Sequence, residues 1–360
     1  MNASVITIHF GINYGSALQS YAMINVLNGL GLSAEVIDYI PERYSFRVKY
    51  FEKKGIKGML KCLAAFPFRY RYQHIFTHFL KKYVPMTKRF TNPSELYTSC
   101  SSYDIYIAGS DQIWNSNYNG CVDPVYYLDF APDNTKKVAY AASFGKSELE
   151  EYEIEDTKKL LKNFSAISVR EVQAKAIINK LGYEAVHVLD PTMLLDKSVW
   201  KAKFPTHKKS QPYVLVYALN HEEKELIRFA KIIADKFQLK VKLISFSYFG
   251  EKYHGLDECL TYKSPDEFIR LMLNAEWVVT NSFHGVAFSI NLNKQFVAVK
   301  RKLYNSRLES ILQTVGLSSR MIENELPANL IEEKIDYTYC NEILNDLRMK
   351  SISFLKEAVF

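Results

Sequence analysis

Three things are scarce in this 360-residue chain, and each scarcity removes a class of protein. Cysteine is the first. Cys62, Cys100, Cys121, Cys259 and Cys340 are widely scattered, with no CxxC pair and no Cys/His grouping at zinc spacing, so neither a disulfide framework nor a zinc site is expected. Long apolar runs are the second. None approaches the roughly 18 residues of a membrane span, and the opening MNASVITIHF lacks a basic stretch and a cleavage site, so it reads as a first strand of a cytoplasmic protein. Nucleotide fingerprints are the third: GINYGSALQ at 11–19 is neither GxGxxG nor GxxxxGK[ST]. No recognised nucleic-acid motif accompanies the charge, which argues against a nucleic-acid partner. His74 and His78 stand at i and i+4 without an evident third ligand, so no metal is expected.

What is present is an ordinary globular composition, 48% hydrophobic and 24% charged, long enough for two domains. The net charge of +7 is unevenly spread, because residues 43–82 hold eleven Lys/Arg against one acid, Glu52, and so carry +10. Aromatic residues such as Tyr50, Phe66, Tyr70 and Phe76 are interleaved there. Two readings stay open: a segment lying peripherally on the anionic inner face of the plasma membrane, or a solvated basic helix with a core-facing aromatic stripe.

The rest alternates strand-like and helix-like segments. Strands are expected at Ser4–Phe10, Ala34–Tyr39, Asp104–Ala108, Val138–Ser143 and Ser165–Val169, and again at Tyr213–Leu219, Lys240–Ser245, Trp277–Thr280 and Phe296–Val299. Helical spacing lies between them, for example in Leu18, Ala22, Val26 and Leu30, or over Glu222–Phe237. A polar, Lys-rich stretch from Asp196 to Pro212 marks a boundary. The expected fold is α/β, two Rossmann-like doubly wound domains facing a cleft, with residues 1–200 on the acceptor side, 208–335 on the donor side, and a C-terminal helix in 336–360 packing back.

In such sheets ligands bind beyond the carboxyl ends of the strands. After the strand 277–280 comes Asn281-Ser282-Phe283-His284-Gly285, where Asn281 or Ser282 can cap a helix start and an anion can sit beside His284; a satisfied core histidine is the other reading. Asn13, Ser16 and Gln19 follow the first strand and can offer hydrogen bonds to sugar hydroxyls. In Gly109-Ser110-Asp111-Gln112, Asp111 can hold a hydroxyl or take its proton, or simply cap a helix. Arg170 can grip a carboxylate or phosphate with two parallel bonds, or pair with Glu171. Lys300, Arg301 and Arg307 form a second basic cluster, and Asp190-Pro191-Thr192 reads as a rigid turn.

Taken in order, NYGSALQSYA with LGLSAEVIDY, GSDQIWN, YAASFG, SVRE, DPTMLL, TNSFHGVAFSI and NSRLESILQTVGL resemble the polysaccharide pyruvyl transferase family over essentially the whole chain. The resemblance implies a GT-B-like fold, phosphoenolpyruvate as donor, and a glycan acceptor such as galactose, free or linked to polyprenyl diphosphate, that receives a cyclic pyruvate ketal. It places the family's anion-binding arginine on Arg170 and its histidine on His284. Many members have Arg two residues before the histidine, where this chain has Ser282, so Arg301 or Arg307 is the candidate for the missing charge. The chemistry implied uses no metal or organic cofactor. Joined to the reading of the strand ends, it suggests His284 as the acid, at C3 or at the leaving phosphate, and Asp111 as the base, with Arg170, Asn281, Ser282, Lys300, Arg301 and Arg307 on the donor and Asn13, Ser16, Gln19, Ser110 and Gln112 on the acceptor. A sugar-nucleotide glycosyltransferase and a non-catalytic glycan-binding protein of the same fold are the competing readings.

Overall fold

The computed structural model describes residues 1–44, 56–100, 102–206, 211–219, 222–247, 253–301 and 305–360, with the backbone alone over 56–62. Two compact units result, one of Met1–Leu194 with Lys350–Phe360 and one of Leu195–Met349.

The first unit is built on six parallel strands, β1 (Asn2–Ile6), β2 (Ser33–Val36), β3 (Ile105–Ala108), β4 (Lys136–Ala142), β5 (Ala166–Val169) and β6 (Val186–His187), ordered β2-β1-β3-β4-β5-β6. Strands such as Ile105-Tyr106-Ile107-Ala108 are apolar at every position because helices cover both faces of a parallel sheet. Its main helices are α1 (Tyr14–Gly29), α2 (Ile56–Tyr83), α3 (Glu151–Leu161) and α4 (Val172–Lys180). Helix α1 is buried almost all round, as expected of a helix apolar on every side.

In the second unit β7 (Tyr213–Tyr217), β8 (Lys240–Ile244), β9 (Glu258–Leu260), β10 (Trp277–Thr280), β11 (Gln295–Val299) and β12 (Met321–Ile322) run parallel in the order β12-β11-β10-β7-β8-β9. Helices α5 (Glu223–Phe237), α6 (Pro265–Asn274), α7 (Phe283–Asn291) and α8 (Ser306–Thr314) alternate with them. Helix α9 (Thr338–Val359) starts in this unit and ends in the other.

Each sheet is wound in both directions from one point. The order reverses between β1 and β3 in the first unit and between β7 and β10 in the second, and ligands of open α/β sheets bind where the winding reverses. The residues to inspect are therefore those following these four strands. One expectation is corrected at this point: the first strand, read as running to Phe10, ends at Ile6. Residues 7–10 leave the ladder.

Candidate functional site

In the second unit, β10 ends on Thr280, whose hydroxyl donates to the Tyr217 carbonyl at the end of β7 (2.7 Å). Asn281 then spans the switch point, its Oδ1 accepting from Leu219 N (2.8 Å) and its Nδ2 donating to Leu219 O (3.1 Å) and Glu222 (2.7 Å). That carboxamide is occupied in tying two loops together, so it is a framework group and not the donor contact expected of it. Ser282 is the N-cap of α7; its hydroxyl accepts from Gly285 N at 3.4 Å. A Cβ on Gly285 would meet Thr280 Oγ1 at 2.3 Å. Only a residue without a side chain lets the first turn of α7 press against the end of β10.

His284 is the second residue of α7, 5% exposed, with its ring edge-on to Phe283 at 5.1 Å. His284 is thus buried at the start of α7 and not at an open surface. Arg307, near the start of α8, is buried with its guanidinium 5.9 Å from the Phe283 ring. Arg301 is half-buried in a loop that Asn305 clips by accepting from Arg301 N (2.8 Å) and donating to Arg301 O (2.7 Å), while Lys300 is exposed. The second unit therefore gathers one imidazole and basic side chains after β10 and β11.

The first unit's switch point is a hydrogen-bonded lattice. Asp111 sits beyond β3 with φ of +78°, a left-handed backbone that a non-glycine residue adopts at some expense in energy, and such conformations concentrate at functional sites. Its carboxylate accepts from Ser16 Oγ (2.8 Å) and Gln112 N (2.9 Å). Asn13 caps α1, accepting from Gly15 N at 2.8 Å. Gln19 is fully buried and donates to the Thr7 and Ser20 hydroxyls, and Ser110, also fully buried, donates to Asp190 at 3.0 Å. The acceptor contacts expected of Ser16, Gln19 and Ser110 are corrected accordingly: these side chains hold the loops. Asn13 and the half-buried Gln112 keep surface toward solvent.

Arg170 is the centre of this lattice. Its side chain is 1% exposed and faces Asp190 at 2.8 Å, Glu171 at 3.1 Å and Asp111 at 3.9 Å. Burial opposes its charge, but the carboxylates of Glu171, Asp190 and Asp111 outweigh that and raise its pKa above the ordinary arginine value. Three carboxylates already surround one guanidinium, which leaves no surplus positive charge for an incoming anion. The pairing with Glu171, one of the two readings open from sequence, is present. His9, Asp38 and Arg89, joined by hydrogen bonds nearby in the chain fold, were not among the expected residues, since His9 reads as strand interior.

Among the described residues no group of three or more His, Cys, Asp or Glu side chains gathers closely enough to hold a metal ion, and no helix is long and apolar enough to cross a membrane.

Comparison with protein-family models finds that polysaccharide pyruvyl transferase matches residues 13–302. A search of curated proteins found no match. Among solved structures the chain is similar to an S. aureus MnaA–UDP complex, at 11% identity, TM-score 0.53, covering 98% of this chain and 90% of that one. It is also similar to the UDP-GlcNAc 2-epimerase from Neisseria meningitidis bound to UDP-GlcNAc, at 12% identity, TM-score 0.50, covering 99% and 100%. At such identities the likeness is one of fold, the two-unit GT-B-like α/β architecture.

Proposed function

This chain belongs to the polysaccharide pyruvyl transferase family, and from that premise we propose that it moves pyruvate from phosphoenolpyruvate onto two hydroxyls of a sugar, galactose first among the candidates. The sugar belongs to a bacterial polysaccharide or its lipid-linked precursor. The observation that carries the reading is His284, held at the start of α7 beyond the carboxyl end of β10 with Arg307 on the same Phe283 ring.

Phosphoenolpyruvate is an enol ester whose C2 becomes electrophilic when C3 takes a proton. In this reading His284 delivers that proton, or protonates the departing phosphate. One sugar hydroxyl adds to C2, the bond from C2 to the phosphate oxygen breaks, and a second hydroxyl adds to C2 to close the ketal. Of the two hydroxyl protons, one is balanced by the new C3–H bond and the other leaves with phosphate. Arg307, Arg301 and Lys300 hold the carboxylate and phosphate, each charge-assisted bond contributing on the order of 1.5–3 kcal/mol. Ser282 and Asn281 fix the loop that carries His284. Asp111 is the base for the acceptor hydroxyl, with Asn13 and Gln112 beside it for the sugar. Arg170 acts through Asp111 as a positioning residue, not as the donor clamp.

The test is to incubate the protein with phosphoenolpyruvate and candidate galactose-containing acceptors, soluble and lipid-linked, following phosphate release and the product mass. Release of phosphate with a gain of one pyruvate ketal is expected. Acceptor-dependent turnover of a sugar nucleotide, with phosphoenolpyruvate inert, would overturn the reading.

Helix α2 supports a peripheral place at an anionic membrane. One face supplies the core-facing stripe, with Tyr72, Phe76 and Phe79 buried. The other presents Phe66, Tyr70, His74 and His78 at i, i+4 spacing, each ring stacked on the next with centroids 6.0, 6.4 and 6.4 Å apart. Phe66 is 41% and Tyr70 61% exposed, and basic residues flank them. The buried stripe fits the core-facing reading and the exposed aromatic and basic face is what supports the membrane reading; residues 45–55 lie outside the described residues. Replacing Arg71 and Lys82 by Gln should weaken binding to phosphatidylserine liposomes by about 1 kcal/mol per charge while turnover of a soluble acceptor persists. Liposome binding that ignores both changes and their combination with Tyr70→Ala would count against the membrane role.

A further inference from the structure

Beyond β1 the chain carries His9 into the interior of the first unit, where its Nε2 lies 3.0 Å from Asp38 Oδ1 and its Nδ1 3.2 Å from the Thr7 carbonyl oxygen. Both ring nitrogens of His9 are therefore engaged with its own unit, one on Asp38 and one on the Thr7 carbonyl. The second Asp38 oxygen accepts from Arg89 Nε at 3.0 Å. Burial pushes the Asp38 carboxyl up, but the His9 hydrogen bond, with the His9 and Arg89 charges, holds it below the usual aspartate range. The Asp38 carboxylate and the Arg89 guanidinium balance one another, so any surplus charge at this site comes from a further cation.

This triad lines a cavity of about 320 Å³ in the first unit, within the size range of small-molecule sites. Lys81, from α2, lines it as well and has no ion pair among the described residues. Phe76, Leu80 and Val84 supply an apolar wall. The lining is therefore cationic in one part and hydrocarbon in another, and it is separate from the residues assigned to proton transfer.

We propose that this cavity binds a phosphate ester bearing an apolar tail, its anion held by Arg89 and Lys81 and its tail laid along Phe76, Leu80 and Val84. Arginine and lysine are donors only, and phosphate is the acceptor that matches them. An ammonium or neutral sugar gains nothing from that charge. The binding can be read without turnover, so its failure and failure of the transferase reading are distinguishable.

Calorimetric titration of the full chain with farnesyl phosphate, galactose 1-phosphate and inorganic phosphate tests it. Saturable binding of farnesyl phosphate is expected, with the other two at least tenfold weaker. Lys81→Gln should weaken farnesyl phosphate about tenfold, the equivalent of one charge-assisted contact, and Arg89→Gln should weaken it further. Because Arg89→Gln also frees Asp38, Thr77→Phe serves as a second variant, narrowing the cavity without changing charge, and should weaken the same ligand. Absence of saturable farnesyl phosphate binding, equal or tighter binding of galactose 1-phosphate, or binding indifferent to both Lys81→Gln and Thr77→Phe would overturn the proposal.

Discussion

Replacing His284 with glutamine is expected to lower turnover roughly 10²–10⁴-fold, the usual contribution of a positioned proton donor, while the protein stays folded. Glutamine keeps much of the volume and a hydrogen-bonding head but cannot pass a proton at neutral pH. His284→Ala should lose a similar amount of turnover and some stability besides, since the imidazole is buried and edge-on to Phe283. Phosphate release at saturating phosphoenolpyruvate, measured beside circular dichroism and thermal unfolding, separates the two effects. A near-normal rate in folded His284→Gln would remove the imidazole from the chemistry and leave it as a core residue.

Arg170→Met should act on folding before it acts on catalysis. The guanidinium is 1% exposed between Asp190, Glu171 and Asp111. Removing it leaves three carboxylates with their shared cation gone, and breaking a buried ion network from one side typically costs about 3–5 kcal/mol. For a chain of this size that corresponds to a fall in Tm of about 4–7 °C. Neutralising the partners should restore part of the loss, so Arg170→Met with Asp190→Asn and Glu171→Gln is expected to melt above the single variant. An unchanged Tm accompanied by a large rise in the phosphoenolpyruvate KM would return Arg170 to direct donor contact.

The strand and helix pattern was legible because each long element advertises its period. The helix expected over Glu222–Phe237 runs Glu223–Phe237, and the strand expected at Trp277–Thr280 is found at those residues. Strands β6, β9 and β12 are two or three residues long and offer no period to read. At the sites, sequence located the loops correctly but not the direction of each side chain. Ser16, Gln19 and Ser110 have the chemistry of sugar contacts and Asn281 that of a donor contact, yet all four spend it inside the protein, and for Ser16, Ser110 and Asn281 the deciding partners, Asp111, Asp190 and Leu219, are 95, 80 and 62 residues away along the chain. Arg170 is the same lesson with charge, because Asp190 is 20 residues from it in sequence and 2.8 Å in space. His9 was hidden by its setting: Ser4–Phe10 reads as one apolar strand, and nothing local announces that the ladder stops at Ile6.

Helix α9 gives the chain an order of assembly. Ser351, in its last turns, is fully buried and accepts from Leu189 N at 3.0 Å, and Phe354 packs on Tyr140 with ring centroids 6.4 Å apart, all within the first unit. Domains synthesised first ordinarily fold first. Here the unit that emerges first from the ribosome lacks part of its own interior until the whole of the other unit has been translated, so the second unit can finish folding ahead of the first.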